Sequence, residues 1–367
     1  MARGRLGADR LTAYDGRVER LRSRRLAVAA LLPLVLARSS AATPPLLVRH
    51  EASRMSMGSP YAIVAYGADA HALPGIVESA FDEVDRIDRL MSHYQPDSPL
   101  SRLNREADKG PVPVEAELFA FIAESLRYSH ESGGAFDITV GPLMKTWGFF
   151  RGEGRLPAPE ELREVKQRIG YRHVVLDQAA KTIRFDRPGM ELDLGGIAKG
   201  YAVDRAVAVL RRHSVPAALV SAGGSTVYGL GGPPGQRAWD VTIQDPVDSR
   251  KTALTVPLKN RALSVSGSDE KSFEVGGVRY SHIMDPRTAR PVQGVLSVAV
   301  VTSSGTAGDA LDNVLFVQGV DAGRATVARL PGTEAFFFLP EPGRAWKMVH
   351  VGGGAAGHRP AVKSTTP

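Results

Sequence analysis

The sequence contains no cysteine among its 367 residues, and this absence excludes several kinds of chemistry. Disulfide bonds, thiolate nucleophiles, Cys-ligated metals and lipid attachment to cysteine are all ruled out. Aromatic residues are sparse at 7%, while the hydrophobic share of 43% is that of an ordinary globular protein. A chain of this length therefore has to build one large core, or two smaller ones, from apolar packing alone.

An apolar run long enough to span a bilayer is missing near the N-terminus. The stretch LAVAALLPLVLA at residues 26–37 has 12 residues, whereas a spanning helix needs about 20. An Arg-rich segment precedes it and small residues follow at 39–42, which is the order of a secretory signal. Residues 1–42 are therefore predicted to direct export to the periplasm or cell envelope, followed by a linker at 43–54. A short buried helix or an uncleaved membrane anchor is the alternative.

Excess charge is also missing from most of the chain. Of the formal charge of +7, the first 25 residues supply +5 from eight arginines against three acids, and Arg38 adds one more. The remainder carries only +1, so the charge does not indicate a nucleic-acid partner. The last residues, 352–367, are rich in Gly, Ala, Pro, Ser and Thr and are predicted to be disordered.

Apolar periodicity predicts helices between groups of strands. Apolar side chains recur every three or four positions from Leu73 to Tyr94, which is typical of an amphipathic helix. Further helices are expected over 115–131, 159–169 and about 307–318. Strand-like segments dominate after residue 216. Grouped strands with helices between them predict an α+β fold with mixed and antiparallel sheets.

The stretch LDLGGIAKG at residues 192–200 places glycines, Asp193 and Lys199 where a strand is expected to turn into a helix. It has neither the Walker order nor the G-x-G-x-x-G order of a dinucleotide loop. The backbone N–H groups of Gly195, Gly196 and Ile197 are predicted to be free to bind phosphate. The alternative is an N-cap aspartate followed by glycines that allow close packing.

Two later segments offer a base and metal ligands. In YSHIMDPRTARPV, His282 ends a strand and can act as a general base, or it can simply bond to Asp285. In TAGDALDNVLF, the oxygen-bearing side chains of Asp309, Asp312 and Asn313 share one helical face. Hard oxygen ligands suit Mg²⁺, and a solvated acidic face is the alternative.

A further segment, GAFDITVGPLMKTWGF, embeds Asp137 among apolar and aromatic residues. Such a site suits a flat ring with one polar edge. The alternative is a core strand in which Asp137 caps a turn.

Seven segments, taken in order, resemble the FAD:protein FMN transferases, the ApbE flavin-transferase family. MSHYQPDSPLSRLN is similar to the family's M-S-x-Y-x-x-x-S-x-L-S-R-x-N, and LDLGGIAKGYAVDRA matches its form almost letter for letter. The others are MGSP, FDITVGPLMKTWGF, SAGGS, YSHIMDPRT and GDALDNVLF. The likeness covers residues 55–351 and implies a single transferase domain with a T-fold-like α+β architecture.

The resemblance also implies an activity and its partners. FAD would be the substrate and Mg²⁺ the cofactor, and FMN would pass to a Thr or Ser hydroxyl with release of AMP. The acceptors would be exported or membrane-associated proteins with a D-x-x-[ST]-[GA]-x-T site, so the enzyme would work close to a membrane. A Mg²⁺-dependent FAD pyrophosphatase and a flavin carrier without catalysis are the competing functions.

Site residues follow from the matching positions. The resemblance implies that His282 is the base. It implies Mg²⁺ ligands at Gly196 (through its carbonyl), Asp309, Asp312 and Asn313. It implies an FAD site lined by Met57, Tyr94, Ala135, Phe136, Asp137, Asp193, Lys199 and Ile283.

Three departures from the family pattern bear on these roles. Asn313 stands where the family often has Thr, and its amide oxygen can still ligate a metal. Ser225 stands where Asp is common. The segment SGSDEKSF at 266–273 differs from S-G-D-Y-E-x-x-F, which affects contacts to adenine or to the acceptor.

Overall fold

The structure is a computed structural model that describes residues 46–152 and 154–353. Its helices are α1 (Ala72–Met91), α2 (Pro99–Glu106), α3 (Ala116–Glu131), α4 (Gly141–Thr146), α5 (Pro159–Val165), α6 (Ala198–Arg212) and α7 (Gly305–Ala328). Short 3-10 segments lie at Phe149–Arg151, Lys166–Arg168 and Tyr171–His173. Its strands are β1 (Val48–Ser56), β2 (Ser59–Gly67), β3 (Val112–Pro113), β4 (Val174–Asp177), β5 (Thr182–Phe185), β6 (Ala217–Ala222), β7 (Thr226–Leu230), β8 (Trp239–Gln244), β9 (Thr252–Leu258), β10 (Arg261–Gly267), β11 (Ser272–Val275), β12 (Val278–Ser281), β13 (Met284–Asp285), β14 (Arg290–Pro291), β15 (Ser297–Thr302), β16 (Glu334–Glu341) and β17 (Arg344–Gly352).

The largest sheet within the described ranges has eight strands in the order β1-β2-β6-β7-β10-β15-β16-β17. Every neighbouring pair in it is antiparallel. Strand β15 is buried along its whole length, and its side chains alternate between two apolar clusters. Val298 and Val300 pack with the helices, whereas Ala299 and Val301 pack with apolar residues of β8 and β9. The sheet is therefore a middle layer between helices and a small second sheet.

Helices α6 and α7 approach each other through glycines. A Cβ atom added to Gly200 would lie 2.1 Å from the carbonyl oxygen of Gly305, so only glycine fits there. One turn later, the carboxylate of Asp204 accepts hydrogen bonds from the N–H groups of Gly305 and Thr306 at 2.7 and 2.9 Å. An acidic side chain at a helix N-terminus pairs with free N–H groups and with the helix dipole. These contacts fix where α7 begins, and with it the position of Asp309.

A separate apolar cluster holds the segment that carries His282. Trp147 is fully buried and donates its indole N–H to the carbonyl oxygen of Ala289 at 3.0 Å. Its ring centroid lies 5.7 Å from that of Tyr280, which in turn stacks on Phe273 at 5.4 Å. The hairpin β11–β12 is therefore anchored on the region around α4, immediately before His282.

The predicted α+β fold with antiparallel sheets is confirmed, but two details near its start differ. The linker predicted at 43–54 is wrong from Val48 onward, because residues 48–56 form β1 with the alternating exposure of a half-buried strand. The small and β-branched residues of the next segment, MSMGSPYAIVAYG, predict one strand, but the segment contains the turn of the hairpin β1–β2. Met57 and Gly58 adopt φ values of +51° and +68° there, as a two-residue hairpin turn requires.

The predicted signal at 1–42 lies outside the described residues and stays a prediction. The final strand reaches Gly352, so the predicted disordered tail overlaps its last residue, and positions 354–367 are outside the described part. Among the helices of residues 46–152 and 154–353, none has the length and apolar content needed to cross a membrane.

Candidate active site

The glycine turn at residues 192–200 is held in place by the side chain of Asn104, which pairs with the backbone as a neighbouring strand would. Asn104 donates to the carbonyl oxygen of Leu192 at 2.9 Å and accepts from its N–H at 2.8 Å. The N–H of Asp193 then donates to the carbonyl oxygen of Ile138 at 2.7 Å. The strand predicted around Asp193 is therefore an irregular segment, extended because a side chain satisfies its backbone groups.

Two of the three N–H groups predicted to be free for phosphate have partners within the protein. Gly195 donates to Asp193 Oδ1 at 2.8 Å, and Ile197 donates to the carbonyl oxygen of Leu194 at 3.1 Å. Only the Gly196 N–H lacks a partner among the described residues. The prediction of three free donors is wrong for two of them, since the turn closes on its own side chain and backbone.

The acidic residues of α7 lie directly against this turn. Asp309 Oδ2 accepts the N–H of Gly200 at 2.8 Å. The amide Nδ2 of Asn313 donates to the carbonyl oxygen of Gly196 at 3.3 Å and to Asp312 Oδ1 at 2.9 Å. The four residues predicted to hold a metal are thus brought together, although they come from two distant segments of the chain.

The two aspartates are almost completely buried, at 4% and 1% exposure. Burial raises the pKa of Asp309, and it raises the pKa of Asp312 well above the usual value, to which the charge of Asp309 also contributes. The positive charge of Lys199 lowers both pKa values and so offsets part of this effect. Two buried carboxylates with one nearby cation form a site that a divalent ion would stabilise strongly.

The donor set fits a hard cation such as Mg²⁺. Gly196 O and Asp312 Oδ1 converge on the amide of Asn313, and a half-turn of that amide would present its oxygen instead of its nitrogen. In the part of the chain that the structure describes, no three His, Asp or Glu side chains are arranged around a common metal position. The set therefore depends on the amide and carbonyl oxygens as well as on the carboxylates.

His282 lies at the foot of the hairpin β11–β12, opposite Lys271. Its backbone N–H donates to the carbonyl oxygen of Lys271 at 2.9 Å, which extends the ladder of the hairpin. Burial, and then the charges of Lys271 and Lys199, lower the pKa of His282 to about 4. The charge of Asp193 acts in the opposite direction, so the histidine lies within the field of the glycine turn.

The alternative in which His282 bonds to Asp285 does not occur. Nδ1 of His282 is buried and has no hydrogen-bond partner among the described residues. Asp285 instead accepts two hydrogen bonds from the guanidinium of Arg287, at 2.8 and 3.0 Å. The pKa of about 4 leaves the imidazole neutral near pH 7, and no described residue occupies its Nδ1.

Met57 and Phe136 of the predicted FAD site lie near the acidic pair and the glycine turn, respectively. Met57, in the β1–β2 turn, accepts a hydrogen bond at its sulfur from Tyr61 at 3.1 Å. Burial, and then the negative charge of Asp309, raise the pKa of Tyr61, so the tyrosine lies within the field of the acidic pair. The ring of Phe136 lies 3.4 Å from where a Cβ on Gly196 would be.

Both carboxylate oxygens of Asp137 accept hydrogen bonds from within the protein. Its Oδ1 accepts from the N–H and hydroxyl of Thr139 at 2.8 and 2.7 Å, and its Oδ2 accepts from the N–H of Tyr171 at 2.9 Å. This is the turn-capping role that the sequence left open, and direct contact with FAD stays a prediction. Ala135 and Ile283 are buried at 2% and 5% exposure, so any contact they make is through backbone or shape.

Tyr94 belongs to an aromatic group with His93 and Phe150, of which only Tyr94 was predicted to line the FAD site. Its ring stacks on Phe150 with centroids 4.9 Å apart, and the ring of His93 lies 4.0 Å from Tyr94. His93 also lies 3.3 Å from Asp193, joining this group to the glycine turn. The segment MSHYQPDSPLSRLN contains His93 and Asn104, and neither residue could be assigned a partner without the fold.

Comparison with known proteins agrees with this geometry. The ApbE family profile matches residues 57–337. The chain belongs to the ApbE family. Its ApbE relatives include an FAD:protein FMN transferase of Treponema pallidum (strain Nichols), 35% identical over 289 residues, which span 75% of this chain and 79% of the relative. The enzyme of the same name from Salmonella typhimurium is 31% identical over 292 residues, 78% of this chain and 83% of the relative.

Solved ApbE structures share the fold. The ApbE protein of Thermotoga maritima has a TM-score of 0.75 and 30% identity, covering 83% of this chain and 97% of that one. The flavinyl transferase ApbE of Pseudomonas stutzeri, in its apo form, has a TM-score of 0.74 and 27% identity, covering 83% and 95%. The family resemblance inferred from the seven sequence segments is therefore confirmed.

Proposed function

We propose that the protein is a transferase that moves the FMN part of FAD onto a Thr or Ser hydroxyl of an acceptor protein and releases AMP. The observation that carries the proposal is a pair of hydrogen bonds between α7 and the glycine turn: Asp309 accepts from the N–H of Gly200, and Asn313 donates to the carbonyl oxygen of Gly196. The names of the ApbE relatives support the same reaction.

Mg²⁺ is the proposed cofactor. The carboxylates of Asp309 and Asp312, the carbonyl oxygen of Gly196 and the amide oxygen of Asn313 would hold it. When bound, a divalent cation polarises phosphoryl oxygens and neutralises the charge that develops on them. Lys199, whose charge already lowers the pKa of both aspartates, adds a fixed positive charge for the diphosphate.

His282 is the proposed base. The acceptor hydroxyl gives its proton to the imidazole as its oxygen bonds to the flavin-side phosphorus. The bond between that phosphorus and the bridging oxygen breaks, and AMP carries the bridging oxygen away. A histidine with a pKa of about 4 is unprotonated at neutral pH, so it is ready to accept this proton. Phosphoryl transfer depends mainly on such positioning and charge stabilisation.

The proposed acceptors are exported or membrane-associated proteins that carry a D-x-x-[ST]-[GA]-x-T site. Support comes from the N-terminal order of arginines, apolar residues and small residues, which is typical of export. The enzyme would then work in the periplasm or at the cell envelope, close to a membrane.

The test is to incubate the protein with FAD, Mg²⁺ and an acceptor domain bearing that site. Flavin fluorescence of the denatured acceptor in a gel, and its mass, should reveal covalent FMN. His282→Ala should abolish transfer while FAD still binds, whereas His213→Ala, at an exposed histidine directly after α6, should leave transfer unchanged. Free FMN and AMP formed without acceptor would indicate a pyrophosphatase, and intact bound FAD would indicate a carrier.

A further inference from the structure

His93 and Asp193 form a buried pair that the reaction above does not use. His93 Nδ1 lies 3.3 Å from Asp193 Oδ1, and the two side chains are only 9% and 10% exposed. The same Oδ1 accepts the N–H of Gly195 at 2.8 Å. The N–H of Gly195 and the Nδ1 of His93 therefore both lie against one carboxylate oxygen, whereas Oδ2 receives no hydrogen bond from the described residues.

The second ring nitrogen of His93 has no structural use. Nε2 is buried and has no hydrogen-bond partner among residues 46–152 and 154–353. A buried polar atom without a partner destabilises the folded state. A phenylalanine ring would avoid this cost. The presence of a histidine is therefore explained by the contact of its Nδ1 with Asp193 and not by the stability of the fold.

The faces of the His93 ring complete an aromatic stack. Its centroid lies 4.0 Å from Tyr94 and 5.3 Å from Phe150, and those two rings stack at 4.9 Å and 20°. The ammonium of Lys145 lies 5.0 Å from the Phe150 centroid. Tyr94 is nevertheless 55% exposed, so the stack offers a large aromatic surface to a ligand ring.

We propose that His93 is a positioning residue for the flavin half of FAD. It holds Asp193 through Oδ1 so that Oδ2 is free to accept a hydrogen bond from the isoalloxazine imide N–H, and it fixes the plane of Tyr94. His93 does not touch FAD itself, because its remaining nitrogen is buried. This inference rests on the proposed function and adds the residue that orients the flavin.

The chemistry of the group matches a broad, flat ring with an N–H at one edge. A carboxylate only accepts hydrogen bonds, so its partner must be a donor, and the isoalloxazine imide supplies one. AMP also has a flat ring with N–H donors. Comparing the binding of AMP with that of FMN therefore shows whether His93 acts on the flavin half or on the adenylate half of FAD.

Two variants separate the two contacts of His93. His93→Phe keeps an aromatic ring but removes the Nδ1 that lies 3.3 Å from Asp193, whereas His93→Asn keeps a donor near that position but removes the ring. The matched controls are the same changes at the exposed His213, which directly follows α6. Binding of FMN and of AMP is measured separately, by quenching of flavin fluorescence and by calorimetry, and the steady-state kinetics of transfer are measured with FAD.

For His93→Phe we expect FMN affinity to fall about ten-fold, the effect of losing a buried polar contact to a charged group. AMP affinity should stay within about two-fold, and KM for FAD should rise while kcat changes little, because the reacting atoms are untouched. His93→Asn should recover most of the loss, to within about three-fold of the parent, since a lost aromatic contact is smaller.

Unchanged FMN affinity in a folded His93→Phe protein would overturn the inference, and so would a loss that affects AMP equally. If His93→Phe fails to fold, as judged by its circular dichroism, a ten-fold loss of FMN affinity in His93→Asn would also overturn it. Failure of the proposed function is a separate result, because the parent protein itself would then not bind FAD or not transfer FMN.

Discussion

Asp309 accepts a hydrogen bond from the backbone N–H of Gly200 at 2.8 Å, although 109 residues separate them in the chain. The contact exists because α6 and α7 cross where residue 200 has no side chain. A Cβ there would lie 2.1 Å from Gly305 O and 2.7 Å from Asp309 Cβ. The same glycine therefore permits the helix crossing and offers a donor to a buried carboxylate.

Gly200→Ala should consequently be strongly destabilising. The methyl group would meet backbone that cannot move aside, so we expect a loss of about 3 kcal/mol or more in the free energy of unfolding. Gly75→Ala is the matched control, because Gly75 lies in α1 with nothing within 4 Å of its added Cβ, and it should stabilise by about 0.5–1 kcal/mol. Urea denaturation followed by circular dichroism measures both, and equal stabilities would refute the crossing geometry.

Asn104→Ala should loosen the glycine turn. It leaves the N–H and carbonyl of Leu192 without their partners, and we expect a loss of about 1–3 kcal/mol in the free energy of unfolding. FAD affinity should fall as well, because Asp193 is the next residue. Asn260→Ala serves as a comparison for stability, since Asn260 caps a turn distant in sequence, and it should leave FAD affinity unchanged. Fluorescence titration with FAD decides this, and intact FAD affinity in Asn104→Ala would count against the role.

Much of this fold could be predicted from local patterns. The periodicity from Leu73 to Tyr94 predicted α1 within a few residues, because one face of that helix is buried. Strand β10 and helix α2 were not predicted. Strand β10 carries buried residues on both faces, and the small residues Ala262, Ser264 and Ser266 on one of them give little apolar alternation. Helix α2 is short, and its burial depends on packing against the rest of the molecule.

The site could be predicted only as a set of separate pieces. The oxygen ligands at Asp309 and Asp312 follow from helical spacing, and the glycine turn follows from composition. Their meeting depends on the crossing at Gly200, which no local pattern contains. Asp137 shows the same limit, because one of its hydrogen-bond partners, Tyr171, is 34 residues away, and local sequence could not choose between its turn-capping role and a contact with FAD.

Asp312→Asn should stabilise the protein in the absence of divalent cations. The raised pKa of Asp312 means that ionising it disfavours the folded state, so the parent protein loses stability as the pH rises above the ordinary aspartate value. At pH 8 without metal, we expect the variant to be about 1 kcal/mol or more stable than the parent, and the difference should shrink at pH 4.

Mg²⁺ should reverse this order. It should raise the Tm of the parent but have little effect on Asp312→Asn, which lacks one anionic ligand. The exposed Asp240 of β8 provides the control, since Asp240→Asn should keep the parent's response to Mg²⁺. Thermal melts with and without Mg²⁺ give the result, and an equal Mg²⁺ response in Asp312→Asn would remove the metal assignment.

Lys271→Gln should move the acid limb of the pH–rate profile to higher pH. Burial contributes most to the low pKa of His282, and the charge of Lys271, opposite it on the hairpin, comes next. In the parent, the transfer rate should stay constant as the pH falls from 8 to about 5 and should decline near pH 4, where His282 takes up a proton. Without the Lys271 charge, protonation of His282 is easier and the decline in rate should begin at higher pH, still below the ordinary histidine pKa because burial persists.

Lys259→Gln, at an exposed lysine before β10, should reproduce the parent profile. The measurement is kcat/KM for transfer across pH 4–8, and superimposable profiles for Lys271→Gln and the parent would show that Lys271 does not set the basicity of His282.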